Sequence, residues 1–288
     1  MRNSTMEINR RDSSEGNYTV PTITVITPTY NRPDTVAELL EALSRQTFQD
    51  FEVVLVNDAG ERVDGVAALY PELNVKIVDL PVNSYHVWAR NAALPHVRGE
   101  WIMPIDDDDL IVPDHMETML KAAEGTDLVF GDVEIFDYIT KDGTRQPTGR
   151  FLFAYEYDID LLRKFNTYVA SGSLYRRELH DALGPFDAEM RNYWDWDWIL
   201  RVHESGRKVK KVPRAGTLYA FAAQGGDNQS GKQDAMRPYL DRLSEKHGLG
   251  YLPTKNFFLM LEEEEIRSRR TASEIVWDGQ PFVSRLRR

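Results

Sequence analysis

Cysteine is absent from the 288-residue chain. That excludes disulfide frameworks, thiolate zinc sites and cysteine nucleophiles, suits a reducing compartment, and leaves oxygen and histidine to hold any metal. Long apolar runs are absent too, and nothing approaches the roughly 20 residues that a membrane-spanning helix needs. The opening MRNSTMEINRRDSSEGN has none of the apolar stretch of a signal peptide, so a cytoplasmic protein, at most loosely attached to a membrane, is expected. Basic charge is short: Lys plus Arg is 35 against 46 for Asp plus Glu, a net −11 with an isoelectric point near 5.1. This balance argues against sequence-independent binding of nucleic acid or anionic lipid. Neither G-x-G-x-x-G nor G-x-x-x-x-G-K-S/T occurs, so the usual dinucleotide and P-loop signatures are missing. What remains is ordinary for a folded protein, with 42% apolar and 28% charged residues. The chain is long enough for one large α/β domain or two lobes sharing a core.

Residues 1–18 are polar and read as a disordered arm, with order beginning near Val20. The β-branched run TITVIT at 22–27 predicts a strand that stops in the turn PTYNRP. In the helix predicted over 33–46, Val36, Leu39, Leu40 and Leu43 fall at i, i+3, i+4 and i+7. Further strands are predicted at 51–56, 75–80, 100–105 and 127–136, with helices within 86–94 and after Pro113. Near-continuous apolar strands alternating with helices imply a parallel sheet covered on both faces. KDGTRQPTGR at 141–150 reads as a polar turn or loop, beyond which the β-α rhythm is lost until a helix at 195–204. That loss marks a change of lobe. From Met236 onward helical patterns dominate, free to pack on the same protomer or on a partner, a homo-oligomer included.

In an open parallel sheet, ligands bind beyond the carboxyl ends of the strands. The residues closing these strands are Thr27-Pro28-Thr29-Tyr30, Asn57-Asp58 and the run Asp106-Asp107-Asp108-Asp109. Consecutive carboxylates repel unless a cation offsets them, and Asp106 and Asp108 are spaced to present oxygens to one hard divalent ion, Mg²⁺ or Mn²⁺. The plainer alternative is an acidic surface turn. A metal on Asp108 plus Arg90 would suffice to hold phosphates, although Arg90 reads equally as a surface ion pair. In NYWDWDWILR, a helix from Asp195 puts Trp198, Ile199 and Val202 on its stripe, so that carboxylate points inward or into a cleft. Beside Trp194 and Trp198 its pKa should rise, which suits a general base; the alternative is a helix cap with tryptophans as core. Asp197 falls off that stripe, four residues before Arg201, and reads as one half of a structural ion pair.

Taken in order, VITPTYNRP, VVLVNDAG, ARNAAL, GEWIMPIDDDD, SGSLYRRE and WDWDWILR resemble the motifs of family 2 inverting glycosyltransferases. The resemblance covers about residues 22–230. It implies the GT-A fold, a Rossmann-like, mostly parallel central sheet flanked by helices. A nucleotide-sugar-binding half (19–125) would merge with an acceptor-binding, catalytic half (126–235), followed by a helical extension (236–288). Carried over by motif, Pro28, Thr29 and Tyr30 line the nucleoside pocket, Asp58 contacts the base, and Arg90 and Asp107 serve the donor nucleotide. Asp106 and Asp108 match the D-x-D motif, with Asp108 the direct ligand of Mn²⁺ or Mg²⁺, and Asp195 matches the catalytic base. Ser171, Gly172 and Ser173 would floor the acceptor pocket, with Trp194 beside them.

The implied activity is hexosyl transfer, with inversion, from a nucleoside-diphosphate donor to a hydroxyl of a glycan, lipid-linked or small-molecule acceptor. UDP is favoured through Asp58. Three departures stand out. Trp194 occupies the place of the Glu usual before the base, Gln224 stands roughly where many relatives carry His, and Pro104 sits inside a strand. The segment Gln224-Gly225-Gly226-Asp227-Asn228 suits a lid. Two other classes compete: a nucleotidyltransferase, for which the glycine-rich basic loop is missing, and a non-catalytic binder, against which Asp58, Asp106, Asp108 and Asp195 argue.

Overall fold

The computed structural model describes residues 20–221, 233–254 and 263–287. The first strand, β1 (Ile23–Thr29), is buried along its whole length, as is β2 (Phe51–Asn57). Between them α1 (Pro33–Ser44) starts with proline in its first turn and buries Val36, Leu39, Leu40 and Leu43. After the short α2 (Asp64–Ala67) and β3 (Val75–Asp79), α3 (His86–Ala93) leads to β4 (Trp101–Pro104). β2 pairs parallel with β3 on one side and with β1 on the other, and β4 pairs parallel with the far edge of β1. The strand order therefore reverses between β1 and β4, the switch point at which a crevice opens beyond the strand ends.

The alternation of side chains splits the core in two. Val54, Val56, Ile26 and Ile102 face one cluster with Trp198, Ile199 and Leu243; Val53, Leu55, Val25 and Met103 face another with α1, Met116 and Met119. Pro104 is tolerated because β8 (Leu174–Arg176), antiparallel to β4, reaches only Trp101 and Ile102. Beyond β5 (Leu110–Ile111) and α4 (His115–Ala122), the sheet continues through β6 (Leu128–Lys141) and β9 (Val209–Ala220). Among the described residues it is one continuous ten-stranded sheet.

Two expectations need correction. The polar stretch 141–150 is mostly strand: β7 (Thr144–Phe153) folds back on β6, and only Asp142 and Gly143, with φ of 51° and 73°, make the turn. A bulge beside Tyr138, which pairs with Pro147, absorbs the proline. The C-terminal extension is helical only in part. After α5 (Ile159–Leu162), α6 (Glu178–Leu183) and α7 (Trp194–Glu204) come α8 (Gln233–His247) and α9 (Glu264–Arg267). The chain then adds strand β10 (Glu274–Ile275) to the β9 edge and runs back to α1, where Arg287 pairs with Asp34 at 2.6 Å. Residues 1–18 and Gln224-Gly225-Gly226-Asp227-Asn228 lie outside the described residues.

Candidate active site

A cleft of about 620 Å³ opens over the carboxyl ends of β1, β2 and β4. It is walled by the start of α3, the segment 164–171, the start of α7 and one face of α8. Pro28, Thr29, Tyr30, Asp58, Arg90, Asp106, Asp107, Asp108, Ser171, Trp194 and Asp195 all line it. Gly172 and Ser173 do not: the Gly172 carbonyl accepts from His115 Nε2 at 2.7 Å, and the Ser173 hydroxyl bonds Ala170 and Tyr168 behind the wall. Of that expected floor only Ser171 faces the cleft.

The strand ends hold one another. Asp58 accepts from the Ser84 backbone N–H at 2.7 Å, which ties the β2 end to the loop before α3. Thr29 Oγ1 donates to Asp107 Oδ2 at 2.6 Å, and Arg32, the first residue after the β1 turn, donates to Asp107 at 3.2 Å and Asp108 at 2.8 Å. Arg90 pairs with Asp106. Burial first, then the charge of Asp108, pushes the Asp107 pKa up to about 7. Asp108 is likewise raised by burial, and Asp109 well above the carboxylate range by burial and by Asp108. Asp109 accepts from Ala220 N–H at 3.1 Å, while its Oδ2 is buried without a hydrogen-bond partner.

Asp106, Asp108 and Asp109 each offer one oxygen, all within 4.8 Å of one another. An all-oxygen set with an unsatisfied buried atom on Asp109 fits a hard divalent cation. The sequence reading singled out Asp106 and Asp108; Asp109 joins them because the chain turns back through β5 immediately afterwards.

Asp195 sits in the first turn of α7, but Tyr193 is the N-cap residue, so the carboxylate is no cap. Its Oδ1 accepts from Trp196 N–H at 2.8 Å and its Oδ2 from Asn166 Nδ2 at 3.1 Å. Burial raises its pKa to about 6, with those two hydrogen bonds working in the opposite direction. Trp194 supports Arg90, whose guanidinium carbon lies 4.2 Å from the indole centroid. Arg90 is only 2% exposed, and its Nε and Nη1 have no hydrogen-bond partner. Asp197 makes the expected pair with Arg201 at 2.8 Å, yet it lies on no solvated face. It is fully buried against α8, where His247 and Lys246 approach it at 2.9 and 2.7 Å. These contacts outweigh the effect of burial and hold its pKa below the usual carboxylate value.

Sequence reasoning missed Arg32, Asn166, His86 and Asp109. Arg32 lies inside the quoted VITPTYNRP motif, and Asp109 inside the acidic run. His86 lines the cleft at the start of α3. No pattern marks Asn166, which sits in irregular chain between α5 and β8.

The architecture is shared with solved structures. TarS 1–349 of S. aureus, in complex with UDP-GlcNAc, is similar with a TM-score of 0.61 and 19% identity, over 78% of this chain and 66% of that one. The mannosyltransferase PcManGT from Pyrobaculum calidifontis, in complex with GDP-Man and Mn²⁺, gives 0.58 and 19%, over 82% of this chain and 67% of that one. The fold is thus that of GT-A-type glycosyltransferases. Residues 24–184 match Glycosyl transferase family 2. An uncharacterized glycosyltransferase of Bacillus subtilis (strain 168), YwdF, is 53% identical over 267 residues, spanning 92% of this chain and 99% of its own. The succinoglycan biosynthesis protein ExoO of Rhizobium meliloti is 22% identical over 92% of this chain and 84% of its own. The chain belongs to glycosyl transferase family 2, and it is a glycosyltransferase.

Proposed function

We propose that this glycosyltransferase moves a hexosyl group, with inversion, from a nucleoside-diphosphate donor, UDP by preference, to an acceptor hydroxyl, and depends on Mn²⁺ or Mg²⁺. Asp195 carries this reading. It is a carboxylate with its pKa raised to about 6, in the same cleft as Arg90 and the aspartates. It is basic enough to accept a proton and still ionised at neutral pH.

Asp58 and the Pro28-Thr29-Tyr30 segment bind the nucleoside, Arg90 meets the diphosphate with its unpaired N–H groups, and Arg32 orders Asp107 and Asp108. Bound on Asp106, Asp108 and Asp109, the metal would stabilise charge on the diphosphate leaving group. Asp195 takes the acceptor proton while the hydroxyl oxygen attacks the anomeric carbon from the face opposite the diphosphate. Positioned bases of this kind contribute on the order of 10²–10⁴-fold. The printed ligands of the structural neighbours, UDP-GlcNAc and GDP-Man with Mn²⁺, support the donor class. No helix among the described residues is long and apolar enough to cross a membrane.

The test is nucleoside-diphosphate release from UDP-, GDP-, ADP- and dTDP-sugars, with and without Mn²⁺, by the native chain and Asp195→Asn. Metal-dependent release from one donor, abolished in the variant while nucleotide still binds, is expected. Loss of nucleotide binding in the variant would remove Asp195 from the base role.

A further inference from the structure

The cleft has an acidic floor and one basic wall. Arg90 and His86, one turn before it in α3, line that wall, and Arg191 of the 3₁₀ segment Ala188–Tyr193 stands next to it at the rim. Arg90 is accounted for by Asp106 and, in the proposed function, by the donor diphosphate. Arg191 is not used by anything described so far.

Arg191 lies at the rim, since its neighbours Tyr85, His86 and Asn192 line the cleft. Its guanidinium carbon is 4.2 Å from the Tyr85 ring centroid and 5.5 Å from that of Tyr239 on α8. Two rings thus restrict a long, flexible side chain. Among the described residues Arg191 makes no ion pair, and its guanidinium donates no hydrogen bond. The backbone on both sides of the contact is strained, with φ of 43° at Arg191 and 70° at Tyr85, in the left-handed region that side chains other than glycine rarely adopt. The two segments are also pinned by His86, whose Nε2 lies 3.2 Å from the Arg191 carbonyl. Arg90 and Arg191 both lower the pKa of that imidazole, after burial, so the ring is neutral and donates there. In a chain with a net charge of −11, this arginine has no carboxylate partner among the described residues, and its guanidinium stands over Tyr85, which lines the cleft.

We propose that Arg191, with Asn192 beside it, binds an anionic group, a phosphate or carboxylate, carried by the acceptor. The substrate class is then an acceptor that presents both a hydroxyl to Asp195 and a negative charge to the cleft mouth. The proposal rests on the glycosyltransferase reading of the same cleft but invokes a residue that reading does not need. A planar guanidinium held between rings is matched to phosphate or carboxylate oxygens by paired N–H donors.

The test is calorimetric titration of the full chain, saturated with UDP and Mn²⁺ so that the donor phosphate site is filled, with glycerol 3-phosphate and with glycerol. Saturation by UDP is measured first, and its failure would count against the donor reading alone; the phosphate titration is then run on the free chain. Glycerol 3-phosphate is expected to bind and glycerol not to. Arg191→Gln should weaken glycerol 3-phosphate by about tenfold or more, with UDP affinity unchanged, and Arg191→Lys should recover part of the loss. A thermal melt matching the native chain shows that Arg191→Gln folds, and Arg191→Lys, which keeps the charge, serves as the second variant. Equal affinity of the native chain and Arg191→Gln, or equal affinity for glycerol and its phosphate, overturns the proposal. So does an Arg191-dependent preference for UDP-glucuronate over UDP-glucose, because the anion would then belong to the donor sugar.

Discussion

Removing the Asn166 side-chain amide tests how the cleft keeps Asp195 ionised. The amide is oriented by its surroundings: Oδ1 accepts from Tyr168 N–H at 3.2 Å, which directs Nδ2 at Asp195 Oδ2, 3.1 Å away. Burial raises the Asp195 pKa to about 6, and the Asn166 bond is one of the two that oppose the rise. A hydrogen bond to a charged group contributes about 1.5 kcal/mol or more, so its loss should raise the pKa by about 1 unit, to about 7. For a base that must be ionised, activity is lost as pH falls through the pKa. Asn166→Ala should therefore lose about fivefold at pH 6, about twofold at pH 7 and almost nothing attributable to ionisation at pH 8.5. The assay is nucleoside-diphosphate release between pH 5 and 9 under limiting substrate, for the native chain, Asn166→Ala and Asn166→Gln. A loss that is the same at every pH, or a native profile with no acidic limb near pH 6, would refute the reasoning.

Asp195→Asn should cost on the order of 10²–10⁴-fold in transfer with nucleotide affinity intact, read by turnover and calorimetry. The same change should stabilise the fold at pH 8 by about 1–3 kcal/mol and not at pH 3.5. Its carboxyl pKa is raised on folding to about 6, so the cost of ionising it builds up as pH rises from the unfolded value of about 4 and is fully present above about 6; equal stabilisation at both pH values would contradict this. Asp109→Asn should weaken Mn²⁺-dependent nucleotide binding without abolishing it, whereas Asp108→Ala should abolish it; a Mn²⁺ response unchanged in both would remove them as ligands. Trp198 is fully buried against Tyr175, His180 and Phe186, with ring centroids 4.7–5.2 Å away. Trp198→Ala should cost about 3–5 kcal/mol in urea unfolding, and a loss below about 1 kcal/mol would mean that the cluster is not part of the cooperative core.

The first strands were legible because β1 and β2 are buried on both faces, so their apolar runs stand out against polar strand ends. The same logic placed Asp58 and the aspartates in one crevice. β7 was hidden because it carries exposed polar residues, a glycine and a bulged proline, none of which shows in a hydrophobic pattern. Asp197 read as half of a structural ion pair with Arg201, and its further partners Lys246 and His247 did not show because they lie about 50 residues further on. Helical spacing reports neighbours within one helix and nothing of what packs against it. Asn166 and Arg191 lay beyond reach for a related reason: one is in irregular chain, and the other owes its placement to a backbone conformation that arginine rarely adopts.

The proposed function depends on a metal-assisted nucleotide site built on the aspartates that close β4. Calorimetric titration of UDP, GDP, ADP and dTDP into the full chain, with and without Mn²⁺, tests it most directly when repeated on the Asp106→Ala, Asp108→Ala double variant. Saturable binding of one diphosphate, UDP foremost, that requires Mn²⁺ and disappears in the variant is the result predicted. Binding of equal strength without Mn²⁺, retained in the variant, or no binding of any of the four, would contradict it.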